Sequence, residues 1–120
     1  MARVTGIGGI FFRAQDPKRL RDWYRQHLGI THFEVAVWNQ EAGPTEFTPF
    51  AAASDYFAAD KQWMLNLRVE DLPGLVAQLK ADGIPVETRA DWDGDGRYGH
   101  FARIHDPEGT PIELWEPPAA

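Results

Sequence analysis

Hydrophobic and polar residues alternate along residues 4–14 and then fall into a helical period, and the same change of rhythm recurs about 55 residues later. In the first occurrence Ile10, Phe12 and Ala14 take one side of a strand, and Gly9, Phe11 and Arg13 take the other. Asp16 and Pro17 then open a helix with Leu20, Trp23, Tyr24 and Leu28 on one stripe, which Gly29 stops. In the second occurrence Trp63, Leu65, Leu67 and Val69 form the helix-facing side of a strand over 62–71, with Met64, Asn66 and Arg68 opposite. Asp71 caps a helix carrying Leu72, Leu75, Val76 and Leu79, ended by Gly83. Superposing Asp16 on Asp71 also pairs Arg13 with Arg68 and Gly9 with Met64. A strand–helix unit used twice predicts an α+β protein made of two βαβββ modules, about 1–58 and about 59–120, with the working cleft between them.

The rest of each unit reads as strands. Residues 31–38 alternate, Asn39 to Pro44 turn, and Thr45 to Phe50 make another short strand. Residues 51–61 connect the modules. After the second helix, Ile84 to Thr88 is a strand, Asp91 to Gly96 an acidic loop, and Tyr98–His105 and Pro111–Glu116 a hairpin closed by Asp106-Pro107-Glu108-Gly109. In that hairpin Arg103 falls opposite Glu113, and Phe101 and Trp115 share their face.

At 120 residues the chain is one domain, or two half-size modules with a shared core. It has no cysteine, which removes disulfides, thiolate metal sites and thiol nucleophiles. A net charge of −6 disfavours nucleic acid as a partner. No apolar run is long enough to span a membrane and no signal peptide follows Met1, so a cytoplasmic location without membrane attachment is expected.

Taken together, Asp16-Pro17 with Trp23-Tyr24 and Leu28-Gly29, then Asp71-Leu72 and Gly83, and finally Asp106-Pro107-Glu108-Gly109-Thr110-Pro111-Ile112-Glu113-Leu114-Trp115, resemble the vicinal oxygen chelate superfamily. That superfamily includes glyoxalase I, bleomycin-resistance proteins, fosfomycin-resistance enzymes and extradiol dioxygenases. The resemblance implies the glyoxalase/bleomycin-resistance/dihydroxybiphenyl dioxygenase-like fold, with mixed sheets curled around a ligand cleft and a homodimer. In its metal-dependent members it also implies ligands on the first and last strands of each module. Counting from the two aspartates puts Gly9 and Met64 at the histidine positions and Glu113 and Glu46 at the glutamate positions. Glycine has no ligand atom and a thioether suits none of the usual metals. No cofactor is therefore expected; if a divalent metal is bound, Glu46, Glu113 and His100 are the candidates.

The expected function is metal-free binding of a small, partly aromatic molecule, as bleomycin-resistance proteins sequester a drug. The alternative is a glyoxalase-like lyase or isomerase using Glu113 and Glu46. Glu113 reads as a general base, as a ligand contact, or as an ion-pair partner of Arg103. The ligand-binding candidates are Phe11, Phe47, Tyr56, Met64, Phe101, Arg103 and Trp115. Arg13 and Arg68 either bind an anionic group or pair with Glu46 or Glu113. Asp91-x-Asp93-x-Asp95-Gly96 matches the opening of a calcium loop, but Ala102 stands where the closing glutamate belongs, so a plain turn is the simpler reading.

Overall fold

A computed structural model describes residues 2–35 and 37–119. Asp16 opens the first helix, α1 (Pro17–Leu28): its carboxylate accepts from the Arg19 backbone N–H at 3.1 Å, and Pro17 supplies a first-turn residue with no N–H to satisfy. Gly29 ends it in the left-handed conformation, φ 67°, its N–H returning to the Arg25 carbonyl.

The chain next forms strand β1 (Leu65–Arg68) and helix α2 (Leu72–Ala81). A single helical turn, α3 (Ala90–Asp93), leads to strands β2 (His100–His105) and β3 (Pro111–Glu116). The sheet runs β1-β3-β2 and is mixed, with β1 parallel and β2 antiparallel to the central β3. The hairpin register puts Arg103 opposite Glu113 and Phe101 opposite Trp115, as the alternation requires.

One face of this sheet carries the core. Ala102, Ile104, Ile112 and Leu114 pack with Leu72 and Leu79 of α2 and with Leu20 and Tyr24 of α1. Leu79, Ile104, Ile112 and Leu114 are fully buried, each worth roughly 1.5–3 kcal/mol. Asp106, at the start of the hairpin turn, ties α1 to this core. Its carboxylate accepts from the Tyr24 hydroxyl at 2.9 Å and from the Glu108 and Thr110 backbone N–H groups at 2.9 and 3.0 Å. Burial, with the Asp106 charge, holds the Tyr24 phenol far above its usual range.

Two glutamates of the same hairpin close the helix entrances. Glu108 accepts from the backbone N–H groups of Gln15 and Asp16, at 2.6 and 3.0 Å. Glu116 accepts from those of Asp71 and Leu72, at 3.3 and 2.8 Å. Each puts a carboxylate at the positive end of a helix and satisfies donors that the helix cannot.

The first half departs from expectation. Among the described residues the three strands lie in the second half, and residues 4–14, 31–35, 37–38 and 45–50 form none; Ala36, within the expected 31–38 strand, lies outside the described residues. His32–Glu34 is instead a 3-10 turn. Residues 84–88 contribute only an isolated bridge, Glu87 with Arg103, and the expected 62–71 strand is confined to β1. The reason is that alternation specifies a face, whereas a strand also needs a neighbour to accept its backbone bonds. Among the described residues these arms pair with no strand of the sheet, and Val4, Phe11, Val37 and Phe47 remain 88%, 98%, 64% and 85% exposed. The Cα radius of gyration agrees, at 15.2 Å against about 13.6 Å for a compact chain of this length.

Candidate functional site

The sheet face turned away from the helices is polar and aromatic. Register sets two rows across it, Asn66–Glu113–Arg103 and Arg68–Trp115–Phe101. In the second row the Phe101 and Trp115 rings stack, 6° from parallel with centroids 6.4 Å apart. The Trp115 indole N–H donates to the Tyr98 carbonyl at 2.7 Å. Next to it Gly99, at φ 98°, lies against the Glu116 backbone, where a Cβ would run into the Glu116 carbonyl.

In the first row Glu113 is 7% exposed and Arg103 6% exposed, so both charged groups must be satisfied by protein. Glu113 does not use Arg103 for this. Its Oε1 accepts from Asn66 Nδ2 at 2.7 Å, and its Oε2 accepts from the Tyr56 hydroxyl. Arg103 Nη2 donates to the Tyr56 backbone carbonyl at 3.1 Å. Its guanidinium lies 5.1 Å from the Tyr56 ring centroid and 5.2 Å from that of Trp92, so two aromatic faces supply part of its stabilisation. Arg103 Nε is buried with no hydrogen-bond partner among the described residues. The expected Arg103–Glu113 ion pair is thus corrected: the residues are opposite in register, but no ion pair joins them among the described residues.

Tyr56 belongs to the segment connecting the two halves, where Phe50 packs beside it and Phe57. Burial, followed by the hydrogen bond to Glu113, holds its phenol above the usual range, so at neutral pH it is an uncharged donor. Trp92 reaches the site from α3, its ring 6.2 Å from that of Tyr56. Asp93 fastens that turn to β2: one carboxylate oxygen accepts from the Phe101 N–H at 3.0 Å and the other lies 2.9 Å from His100 Nδ1. Asp93 is engaged by β2 and Asp95 accepts from the Arg97 N–H at 2.9 Å, so these carboxylates brace a turn.

Of the expected site residues, Tyr56, Phe101, Arg103, Glu113 and Trp115 come together on this face. Met64 precedes β1 and is half-buried. Phe11 and Phe47 are exposed on the arms, away from the cluster. Arg68 finds neither an anion nor a glutamate side chain: it donates to the Glu41 and Pro44 carbonyls at 2.8 and 3.2 Å, and Gly43 has no side chain to obstruct the guanidinium. Asn66 and Trp92 belong to the site although neither stood among the ligand-binding candidates. The alternation of β1 had already set Asn66 on the correct face.

The donors of the implied metal site do not assemble. Gly9 and Met64 offer nothing suitable, and Glu46 is exposed and accepts from the Thr48 hydroxyl at 2.9 Å. His100 is held by Asp93, and both Glu113 oxygens are engaged. Among the described residues, no three His, Asp or Glu side chains are grouped to hold a metal ion. Two open depressions lie elsewhere. One, of about 450 Å³, is lined by Phe12, Arg13, Gln15 and Glu108 among others; one, of about 610 Å³, lies beside Asp71, His100 and Glu116. No helix among the described residues is long and apolar enough to cross a membrane.

A mixed three-stranded sheet with helices on one face and a polar, aromatic opposite face defines a small α+β domain. The model of the glyoxalase-like domain family matches residues 9–115, and the chain belongs to that family, within the vicinal oxygen chelate superfamily. No curated protein sequence matches it. Among solved structures it is similar in fold to TnmS3, an antibiotic binding protein from Streptomyces sp. CB03234. The TM-score is 0.61 at 17% identity, covering 98% of this chain and 100% of that one.

Proposed function

We propose that this protein binds a small, partly aromatic molecule against the Asn66–Glu113–Arg103 face without using a metal, holding it by sequestration. The observation that carries this reading is the composition of that face: a buried arginine with an unpartnered N–H, a buried carboxylate, and the rings of Trp92, Phe101 and Trp115 around them. Flat ligands bind such walls by stacking, while a few buried polar groups fix their orientation. The antibiotic-binding description of TnmS3 supports the same ligand scale.

The full cleft is completed in a homodimer, where the exposed arms of residues 4–14 and 37–50 pair and build the first βαβββ module. Exposure of Val4, Ile10, Phe11 and Phe47 supports this, together with the free outer edge of β1.

The test is a tryptophan-fluorescence and calorimetric screen of aromatic natural-product-like compounds, combined with elemental analysis of the purified protein. Arg103→Met should weaken any hit by about tenfold or more, the loss of a charged hydrogen bond, while the exposed Lys80→Ala leaves it unchanged. A stoichiometric metal, or no binding across a broad library, would overturn the reading.

A further inference from the structure

The position of Tyr56 raises a separate question, because its side chain stands where a ligand of the proposed site would stand. Its ring faces the Arg103 guanidinium and meets Trp92 edge-on, its hydroxyl donates to the buried Glu113 carboxylate, and it arrives from a connecting segment without helix or strand. Glu113, Arg103 and Trp92 are all engaged by this one side chain, and each would meet a free phenol in the same way.

We infer that Tyr56 is a built-in occupant of a phenol-recognising site, and that ligands carrying a phenolic hydroxyl bind by displacing it. The inference rests on the small-molecule reading above and specifies the ligand class: an uncharged aromatic hydroxyl whose proton is donated to Glu113 and whose ring lies against Arg103 and Trp92. An acidic phenol, ionised at neutral pH, is refused by Glu113, since a second buried anion against that carboxylate is strongly unfavourable.

The geometry shows why Tyr56 is displaceable. Its neighbours Asp55, Ala58 and Ala59 are exposed, and few of its contacts lie outside the site itself: the Phe50 ring at 5.5 Å and the Ser54 hydroxyl, which accepts from its backbone N–H at 3.2 Å. The hydroxyl and ring contacts can be surrendered one for one to an incoming phenol. The Arg103 contact to the Tyr56 carbonyl breaks when the segment moves, which frees a second donor beside the unpartnered Nε for an oxygen elsewhere on the ligand. A tethered side chain competes at millimolar effective concentration, so simple phenols bind the intact protein poorly.

The test uses p-cresol, which is the tyrosine side chain without its backbone, and toluene, which lacks the hydroxyl. Calorimetry and ligand-observed NMR on the full chain compare wild type with Tyr56→Ala. The inference expects Tyr56→Ala to bind p-cresol about tenfold or more tighter than wild type, because the tethered competitor is gone, and to bind p-cresol about tenfold or more tighter than toluene, the scale of a hydrogen bond to a charged acceptor. Equal or weaker p-cresol binding by Tyr56→Ala would show that Tyr56 is a wall of the site, and equal affinity of Tyr56→Ala for p-cresol and toluene would show that Glu113 does not read the hydroxyl; either overturns the inference. Should Tyr56→Ala fail to fold, Tyr56→Phe keeps the ring and releases the hydroxyl, and an unchanged p-cresol affinity there overturns it as well. Library hits on wild type without the p-cresol gain would remove the latch and keep the binding function. Absence of any hit for wild type, with the p-cresol gain present, would remove sequestration by the intact protein and keep the phenol site.

Discussion

Removing the Asp106 carboxylate should cost more stability than its single side-chain contact with Tyr24 suggests. The carboxylate is on a residue only 4% exposed and accepts three hydrogen bonds, from the Tyr24 hydroxyl and the Glu108 and Thr110 N–H groups. Tyr24→Phe removes one charge-assisted bond and leaves the other two, an expected loss of about 1.5–2 kcal/mol. Asp106→Ala leaves the buried Tyr24 hydroxyl without an acceptor and unties both turn amides, an expected loss of about 3–5 kcal/mol. Asp106→Asn retains one oxygen for the amides and should fall between them. The assay is urea unfolding followed by far-UV circular dichroism, with the double variant completing a thermodynamic cycle. A coupling of about 1 kcal/mol or more between the two sites is expected, because they share a bond. If Asp106→Ala costs no more than Tyr24→Phe, or the two effects simply add, the carboxylate does not organise the turn and helix together and the argument fails.

Three further outcomes follow from the same geometry. The Tyr24 and Tyr56 phenols are held above their unfolded value of 10, so their contribution to stability is fully present below pH 10 and is lost as pH rises beyond it. Alkaline unfolding monitored by tyrosinate absorbance should therefore be cooperative, with a shallower pH dependence in Tyr24→Phe; gradual phenol ionisation without unfolding would contradict this. Asp71 caps α2 while itself in the left-handed conformation, φ 61°. Asp71→Ala should cost about 2 kcal/mol and Asp71→Gly distinctly less, an order that thermal melting can reverse. Glu116→Ala should raise hydrogen exchange at Leu72 about tenfold while the Ile112 and Leu114 amides stay protected; uniform loss of protection would refute a local capping role.

What the sequence made legible was whatever a short segment decides for itself. Asp16, Gly29 and Asp71 act through backbone groups one to five positions away, and the Asp106–Gly109 turn sets the hairpin register, so helices and hairpin fall where their residues demand. The strands expected over 4–14, 31–38 and 45–50 depended on a distant pairing partner, about which alternation says nothing. The site shows the same division. Alternation placed Asn66, Phe101, Arg103, Glu113 and Trp115 on one face, but could not show that Glu113 would take Tyr56 and Asn66 instead of the arginine opposite. Trp92 could be read only as a loop aromatic near the site, because nothing in its acidic, glycine-bearing stretch shows Asp93 bonded to the start of β2.

The two glutamates at the helix entrances bear on how this chain acquires its shape during synthesis. Glu108 and Glu116 both lie in the final hairpin, and its strand β3 is the centre of the sheet although it is the last of the three in chain order. Until that strand emerges, β1 and β2 have no ladder to join, and the entrances of α1 and α2 lack their carboxylates. Folding therefore waits for residues 106–116 and then closes contacts spanning as many as 93 positions at once. A nascent chain arrested before Asp106 should expose both helices' apolar stripes and recruit chaperones, while one extended past Glu116 by a linker should not.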